Sequence, residues 1–332
     1  MAGMSGTWRP CLLQRGPVNW PDYIHGWEIR EHRPAGVLVA SREVIQPGNS
    51  QMKALLAALS ILVLPGLMPA LARTPPAQAE ASMLLAGSIT VSPQGAVQSY
   101  TVDKLATLPA PVQQLLTQNV PHWRFEPVID HGHAVAAKAA MHLRIVATPT
   151  DKDHFALRIA SQWFGNAANT YGLTIKNQTL PHYPGREIKE RVSGTVYLVA
   201  RINRQGKVDQ VAAEQVNLRV RGPEMLMRMW RKDFADASVR AASHWTYNVP
   251  ASGAAATRQA WIVRIPVSYT LHEMGKAKAR SYGTWTAYLP GPREKISWLK
   301  PEASVPGSAD ALPDNGLYLA DQSLHLITTP KS

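Results

Sequence analysis

The chain has 332 residues, a length that allows two domains of modest size,. Its 35 lysine and arginine residues exceed its 23 aspartate and glutamate residues, so the formal net charge is +12. Charged residues make up only 17% of the chain, which argues against a highly charged disordered protein,. The single cysteine excludes an internal disulfide framework and any metal site built from several cysteines,.

A candidate secretory signal lies at residues 52–72. One positive charge follows Met52, an apolar run with Ser60 as its only polar residue spans residues 54–64, and residues 70–72 form a small-x-small cleavage site,. The apolar run is shorter than the ~20 residues that a membrane span needs. We therefore expect a cleaved signal peptide and a periplasmic location. The alternatives are a buried core helix, or a short uncleaved anchor in the inner membrane with the rest of the chain facing the periplasm.

Residues 1–51 precede this signal, although a secretory signal acts at an N-terminus. They contain the only cysteine and show no sustained helical or alternating period,. We expect translation to start at Met52, so that residues 1–51 are not part of the protein; a genuine cytoplasmic extension before a membrane anchor is the alternative. The remaining exported chain would keep a net charge of about +10, which favours an acidic protein partner or anionic envelope material over nucleic acid,.

The region 83–148 is the first of two similar stretches. It follows a short linker, rich in proline and alanine, at residues 73–82. Its apolar pattern predicts a β-hairpin over residues 87–103, a helix over residues 109–122 and an alternating strand over residues 139–145,.

The region 181–271 predicts the same order of elements in a more complete form. Alternating residues predict a hairpin over residues 194–216, helical spacing predicts a helix over residues 224–243, and a second alternating run predicts a strand over residues 257–271,. Four pairs of residues occupy equivalent places in the two regions: Gly87 and Gly194, Gly95 and Gly206, Trp123 and Trp245, and Gly132 and Gly253. We therefore expect an α+β protein with an internal duplication, in which each unit is a small antiparallel β-sheet with a helix packed on one face.

Two further regions lie outside this repeat. Residues 149–180 are expected to form a connector with its own candidate strand at Phe155–Ile159,. Residues 272–332 are rich in proline and glycine, and two apolar runs, Leu317–Ala320 and Leu324–Ile327, predict a terminal hairpin,. This tail could be an additional piece of sheet or a partly disordered arm.

Five motifs follow one another in order within residues 181–271. They are Tyr183-Pro184 before a short helix, Gly194-Thr195-Val196 at a strand start, Gly206-Lys207-Val208 at a hairpin, Trp245-Thr246-Tyr247 after a helix, and the alternating strand from Val263 to Val267. This ordered set resembles the C-terminal domain of TonB, the energy transducer of Gram-negative envelopes. Residues 83–148 resemble the same domain in a shortened, degenerate form that lacks the Tyr-Pro opening.

The resemblance implies a fold whose last strand lies at the edge of a three-stranded antiparallel sheet. In TonB an extended segment of an outer-membrane receptor adds to that edge as a further strand. The resemblance therefore indicates a candidate peptide-docking edge with these members: Arg258, Trp261, Val263, Arg264, Ile265, Val267 and Tyr269. The structural residues of the motif would be Tyr183, Pro184, Gly194, Gly206, Trp245 and Tyr247. Arg258 and Arg264 would either favour an acidic partner strand or protect an exposed edge from aggregation.

The chain also departs from an energy transducer. A transducer keeps its N-terminal helix as an anchor against a membrane motor, whereas the apolar run here is interrupted and looks cleavable. A transducer also has a long Pro-rich spacer, whereas the linker at residues 73–82 would span only ~30 Å even in an extended polyproline conformation. We therefore expect peptide binding rather than transduction of force.

Catalytic motifs are absent from the sequence: it has no Gly-x-Ser-x-Gly, no Walker loop and no His-Glu-x-x-His,. His131 and His133, with His122 and His142 nearby, make a weak metal cluster because Asp130 is the only adjacent carboxylate,. We therefore expect no enzyme, no metal and no cofactor.

The function that we expect is that of a periplasmic TonB-like protein. It would bind extended segments of outer-membrane transport proteins, and it could form a homodimer through its sheet edges. The alternative is a structural envelope protein that binds peptidoglycan or other anionic envelope material.

Overall fold

The structure is a computed structural model that describes residues 80–151, 154–271, 282–299, 309–314, 316–320 and 324–328. The expected N-terminal extension, the signal peptide and most of the first linker lie outside the described residues. All described residues belong to one compact unit, and none of their helices is long and apolar enough to cross a membrane.

This part of the chain forms thirteen strands and three α-helices, which confirms the expected α+β class. In chain order the strands are β1 (Glu80–Val91), β2 (Val97–Val102), β3 (Val128–Asp130), β4 (His133–Val135), β5 (Ala137–Pro149), β6 (Phe155–Phe164), β7 (Thr174–Asn177), β8 (Gly194–Asn203), β9 (Val208–Leu218), β10 (Thr246–Asn248), β11 (Ala260–Tyr269), β12 (Thr286–Tyr288) and β13 (Tyr318–Leu319). The α-helices are α1 (Ala110–Asn119), α2 (Gly185–Lys189) and α3 (Glu224–Ala242). Short 3-10 turns lie at Leu105–Thr107, Val120–His122, Ala168–Tyr171, Ala254–Thr257 and Ala309–Ala311.

The first sheet has the order β6–β5–β1, with antiparallel pairing throughout. Two strands share the other side of β1, because β2 pairs with residues 87–91 and β12 pairs with residues 80–82. Alternation along β5 places Met141, Leu143 and Ile145 in one apolar core with α1,. Helix α1 begins with a proline in its first turn, where the missing N–H costs no hydrogen bond,. It covers one face of this sheet.

The second sheet has the order β13–β11–β8–β9. Helix α3 covers one of its faces: the fully buried Trp230 and Phe234 share a core with Val196 and Leu198 of β8. Each of the two sheets thus has its own apolar core beneath its own α-helix, as a β-sheet with one hydrophobic face requires.

The two sheets meet through the faces that their helices leave uncovered. Arg144 alternates with residues of β5 that face α1, so its side chain points to the opposite side,. Its Nη2 donates a hydrogen bond to the hydroxyl of Tyr197 on β8 at 3.0 Å. Tyr197 in turn alternates with Val196 and Leu198, which face α3. The layers therefore run α1, first sheet, second sheet, α3, and we call the region between the two sheets the seam.

Both halves share one turn geometry. The carbonyl of Gly95 accepts a hydrogen bond from the N–H of Phe125 at 2.8 Å, and the carbonyl of Gly206 accepts one from Tyr247 at 2.7 Å. The two glycines have positive φ angles of 76° and 72°. A Cβ on either would lie 1.9 or 2.0 Å from the carbonyl oxygen of that aromatic residue, so only glycine fits,. The pairing of Gly95 with Gly206 in the sequence repeat corresponds to this shared contact.

The strand expected between the two repeat regions is confirmed, whereas the pairing of the tail differs from expectation. The strand expected at Phe155–Ile159 is β6, which continues to Phe164 and is an outer strand of the first sheet rather than part of a connector. The two runs of the expected terminal hairpin pair with different partners. Leu319 pairs with Val263 of the second sheet, whereas Leu326 bridges Phe125 of the first half. Each run pairs at a separate place in the fold, so the described residues of the tail join both halves.

Candidate functional site

The predicted docking edge is strand β11. Along its whole length β11 pairs with β8 on one side. On the other side it pairs with β13, where Leu319 lies opposite Val263 and Tyr318 lies opposite Arg264. The chain itself therefore covers the edge at these two residues, and a partner strand that pairs along β11 would have to take the place of β13.

The backbone of β11 points towards β13 at every second residue. The N–H of Ala320 donates to the carbonyl of Ile262 at 2.9 Å, and the alternation of an antiparallel ladder directs the backbone of Arg264, Pro266 and Ser268 to the same side,. Pro266 has no N–H to donate, which is tolerated on the outer side of an edge strand but not in the ladder with β8. The edge thus offers three backbone N–H groups over these four positions.

Five of the predicted docking residues have side chains in the core beneath α3: Trp261, Val263, Ile265, Val267 and Tyr269. The Tyr269 ring stacks on Phe234 with 4.4 Å between the ring centroids, and its hydroxyl is 2.9 Å from that of Ser238. A strand added at β11 would therefore form its hydrogen bonds with the residues that alternate with these five, such as Ile262 and Arg264,.

Arg264 does not face outwards to an acidic partner strand, as one interpretation of the sequence had it. Its side chain is fully buried, and its Nε and Nη2 donate to the carboxylate of Glu214 on β9 at 2.7 and 3.1 Å. Its third nitrogen, Nη1, is buried without a hydrogen-bond partner. Arg258 lies just before β11, at the end of the 3-10 turn Ala254–Thr257, and is half-buried.

Glu214 faces inwards because β9 has a bulge at this point. Tyr197 pairs with Gln215 while the next residue of β8 pairs with Ala213, so Glu214 is an extra residue without a partner on β8,. A second guanidinium, that of Arg293, donates through Nε to the same carboxylate at 2.7 Å. Burial alone would raise the pKa of Glu214, but Arg264 and Arg293 together hold it below its ordinary value of 4.5,.

The Tyr-Pro motif has a structural position. Pro184 is the N-cap of α2. The hydroxyl of Tyr183 donates to the carbonyl of Val192 at 2.5 Å, and its ring meets Phe234 and Tyr269 edge-on at 5.7 and 5.2 Å. These contacts hold α2 and the start of β8 against the core beneath α3.

The remaining motif residues also support the second sheet. A Cβ on Gly194 would lie 2.7 Å from the carbonyl oxygen of Asn217 on the neighbouring strand β9. Trp245 is buried, and its indole N–H donates to the carbonyl of Thr179 at 2.8 Å. Gly206 and Tyr247 form the turn contact described above. The motif residues therefore stabilise the sheet that contains β11, and the contacts described for them are structural.

A buried polar cluster that the sequence analysis did not single out occupies the seam. Arg144 is 6% exposed and donates to the backbone carbonyl of Asp310 at 2.7 Å and to the hydroxyl of Ser82 at 2.6 Å. The Asp310 carboxylate accepts from the hydroxyl of Tyr288 at 2.5 Å and from the amide of Asn217 at 3.3 Å. Asp310 thereby joins a residue of each sheet to the tail.

A second carboxylate of the tail lies close to this cluster. Asp314 is 3.5 Å from Nη2 of Arg219, and its other oxygen accepts from the hydroxyl of Thr195 at 3.4 Å. A small pocket opens here, and its lining includes Arg144, Thr195, Tyr197, Arg219, Tyr288 and Asp314. Two cations and two carboxylates therefore meet in the seam. The sequence signal for them is the pair of aspartates in the short, otherwise apolar stretch ADALPD.

Aromatic side chains surround the residue before Leu319. The Tyr318 ring lies 5.1 Å from that of Trp163 and 5.7 Å from that of His142, edge-on to both. Burial raises the pKa of Tyr318 to about 12 and lowers the pKa of His142 to about 4. Both groups are therefore neutral at pH 7, and this part of the seam is apolar.

The histidines of the weak metal cluster do not converge. The side chain of His131 is 94% exposed, and His133 and His122 are also exposed, whereas His142 lies in the seam. Within the ranges that the structure describes, no three His, Cys, Asp or Glu side chains could hold a metal ion together.

No protein-family model matches the chain, and no curated protein or solved structure matches it either.

Proposed function

We propose that this chain is a periplasmic, non-enzymatic protein of the TonB C-terminal type, which binds extended segments of outer-membrane transport proteins by β-strand addition at β11. The observation that supports the proposal is the pairing of β11 with β13. A segment of the chain without long regular structure of its own already adds to this edge as a strand. Such an edge can present main-chain groups to an extended ligand.

The way in which β13 is held also fits this mode of recognition. Successive side chains of an added strand point to opposite faces of the sheet. Tyr318 contacts the aromatic rings of the seam, whereas Leu319 joins the core beneath α3. Main-chain hydrogen bonds would supply affinity, and these two environments would supply specificity.

The experiment that tests the proposal compares Ile262→Pro with Ile262→Ala in the full chain. The N–H of Ile262 faces the docking edge, so proline removes a donor from that edge without breaking the ladder with β8, while alanine removes a similar amount of side chain and keeps the N–H,. Binding of synthetic N-terminal segments of outer-membrane receptors is measured by fluorescence anisotropy. We expect Ile262→Ala to bind at least one segment and Ile262→Pro to bind it more than ~10-fold more weakly, a ratio that corresponds to about 1.4 kcal/mol.

Equal binding by the two variants would overturn the proposed edge. Co-sedimentation of both variants with purified peptidoglycan, without binding of any receptor segment, would instead favour a structural envelope protein.

A further inference from the structure

The part of the tail that covers β11 is held by an unusually buried stretch. Residues 309–314 and 316–320 are called the tail segment here. Asp310, Leu312, Leu319 and their neighbours Ala309, Ala311 and Ala320 are at most 2% exposed. The segment lies in the seam, in contact with β5 and β6 of the first sheet and with β9 and β11 of the second. It occupies the place that an added strand would take.

Five side chains anchor the tail segment, and they differ in chemistry; one of them, Leu312, packs beside Trp163. Asp310 is 3.9 Å from Nε of Arg144, and Asp314 is 3.5 Å from Nη2 of Arg219. Tyr318 enters the aromatic group of the seam, and Leu319 enters the core beneath α3. The tail segment therefore carries two carboxylates four residues apart, followed by an aromatic–aliphatic pair.

The two carboxylates match two largely buried cations. The side chain of Arg144 is 7% exposed and that of Arg219 is 16% exposed. If the tail segment left the seam, both guanidinium groups would lose these carboxylates, and a buried charge without its partner is strongly unfavourable. An opened seam would therefore favour an incoming segment that brings acidic residues to the same two places.

We propose that the tail segment is an internal ligand of β11, and that the external partner is an acidic extended peptide segment with two carboxylates four residues apart and an aromatic–aliphatic pair after them. This inference rests on the proposed function of β11 as a docking edge. An internal ligand competes at an effective concentration in the millimolar range. The apparent affinity for an external segment is reduced by the fraction of molecules in which the edge is open.

The test uses the full chain with Tyr318→Ala and Leu319→Ala combined, which removes two of the three large apolar anchors of the tail segment and keeps Leu312. The probe is a fluorescent peptide with the sequence of residues 309–320, and its binding is followed by anisotropy. We expect the double variant to bind the peptide on the order of 100-fold more tightly than the wild-type chain does. Ile327→Ala is the matched control, because Ile327 belongs to the same tail but is 63% exposed; it should bind like the wild type.

Two altered peptides test the partner chemistry. Replacing both aspartates by asparagine should weaken binding to the double variant by more than ~10-fold, because Arg144 and Arg219 would then lack carboxylates. Replacing the peptide residues that correspond to Tyr318 and Leu319 by alanine should abolish binding to the double variant. If the double variant is folded by circular dichroism and does not bind the unaltered peptide, or if the asparagine peptide binds equally well, the proposal is overturned.

Hydrogen exchange on the wild-type chain provides a measurement that needs no variant. The amide of Ala320 donates to the carbonyl of Ile262, so it reports on release of β13,. We expect it to exchange more than ~10-fold faster than the slowest amides of β8, because the edge opens without global unfolding. Exchange at the same rate as β8 would show that the tail segment leaves only on unfolding, and it would overturn the proposal.

These outcomes are distinct from failure of the proposed function. Binding of the 309–320 peptide to the double variant without binding of any receptor segment would keep the internal ligand and reject outer-membrane receptors as partners. Binding of a receptor segment that Ile262→Pro weakens, without binding of the 309–320 peptide, would keep the docking edge and reject the internal ligand.

Discussion

Glu214 is the residue on which two arginines depend, Arg264 of β11 and Arg293 after β12. Its side chain is 2% exposed, and Arg264 beside it is fully buried. The attraction between such groups offsets the cost of removing them from water only while both partners are present, so removal of one leaves an uncompensated buried charge. Loss of either Glu214 or Arg264 is therefore expected to destabilise the fold strongly, although the intact pair adds little net stability.

We expect Glu214→Gln to lower the free energy of unfolding by about 3–5 kcal/mol at pH 7, because it leaves Arg264 buried without a counter-charge. Urea denaturation measures this change. The matched control is Asp209→Asn on the same strand, where the exposed pair of Asp209 with Arg201 at 3.4 Å should contribute at most ~1 kcal/mol,. Equal effects of the two substitutions would contradict this account.

Burial of His142 makes the stability of the fold depend on pH between about 4 and 6.5. Burial lowers its pKa from 6.5 to about 4, and its Nδ1 is buried without a hydrogen-bond partner. Between these two pH values the unfolded chain binds a proton that the folded chain does not bind. Stability is therefore complete above pH 6.5 and decreases as the pH falls towards 4. Below the ordinary pKa of Glu214, protonation of that carboxylate removes further stability.

Between pH 6.5 and pH 4 we expect the free energy of unfolding of the wild-type chain to fall by an amount on the order of 3 kcal/mol. The His142→Phe variant should not show this decrease. Phenylalanine keeps a ring of similar size against Trp163 and Tyr318 and cannot be protonated. Urea denaturation at several pH values tests this. His131→Phe is the control, since the side chain of His131 is almost fully exposed. A wild-type profile that is flat in this range, or a profile unchanged by His142→Phe, would refute the assignment.

At the scale of elements, one glycine connects each hairpin to an aromatic residue in the segment that follows its helix. The carbonyl groups of Gly95 and Gly206 accept the N–H of Phe125 and Tyr247, and both turns have a left-handed backbone. The contact lies where the hairpin, the helix and the following strand meet. It therefore sets how the helix is placed on its sheet in both halves.

We expect Gly206→Ala and Gly95→Ala to destabilise the protein by more than ~2 kcal/mol, because each combines an unfavourable φ angle with a backbone clash. Gly132→Ala is the control. Its φ angle of 85° is also positive, but a Cβ there would have no atom within 4 Å, so only ~1–2 kcal/mol is expected,. Thermal unfolding measures the difference, and equal losses of stability at Gly206 and Gly132 would contradict the role of the backbone clash.

The sequence predicted the long elements well because their hydrophobic periods are sustained. The helix expected over residues 224–243 is α3, and the strand expected over residues 257–271 contains β11. The inward position of Glu214 could not be predicted, because a bulge breaks the alternation of β9 at that residue,.

The covering of β11 by the tail was equally out of reach of sequence patterns. The apolar run Leu317–Ala320 predicts a strand that contains β13, but a strand of two residues carries no signal for its partner. The contact of Arg144 with Asp310 joins residues 166 positions apart. Pro266 is typical of an edge strand, but nothing in the pattern of β11 indicates which segment lies against that edge.

At the scale of the whole molecule, the seam joins two halves that have separate cores. The tail segment contacts strands of both sheets, and Leu289, just after β12, bridges Leu218 of β9 while β12 itself pairs with β1. The halves therefore share one set of polar contacts around Asp310. We infer that they unfold together as one cooperative unit.

We expect a single transition for the wild-type chain in differential scanning calorimetry, with equal calorimetric and van't Hoff enthalpies. Asp310→Asn should separate it into two transitions, because Arg144 loses its carboxylate and the contact between the sheets weakens,. Asp209→Asn, outside the seam, should leave one transition. Two transitions in the wild-type chain would contradict this coupling.

Because β12 pairs with β1, the first sheet can be completed only after residues 286–288 have been synthesised. The hydroxyl of Thr286 donates to the carbonyl of Ser82, 204 residues earlier in the chain. During synthesis from the N-terminus, the first strand would emerge long before the strand that pairs with its outer side. The outer side of the beginning of β1 would then remain unpaired until β12 is present, so the first half could not reach its final form while the ribosome is still adding the second,.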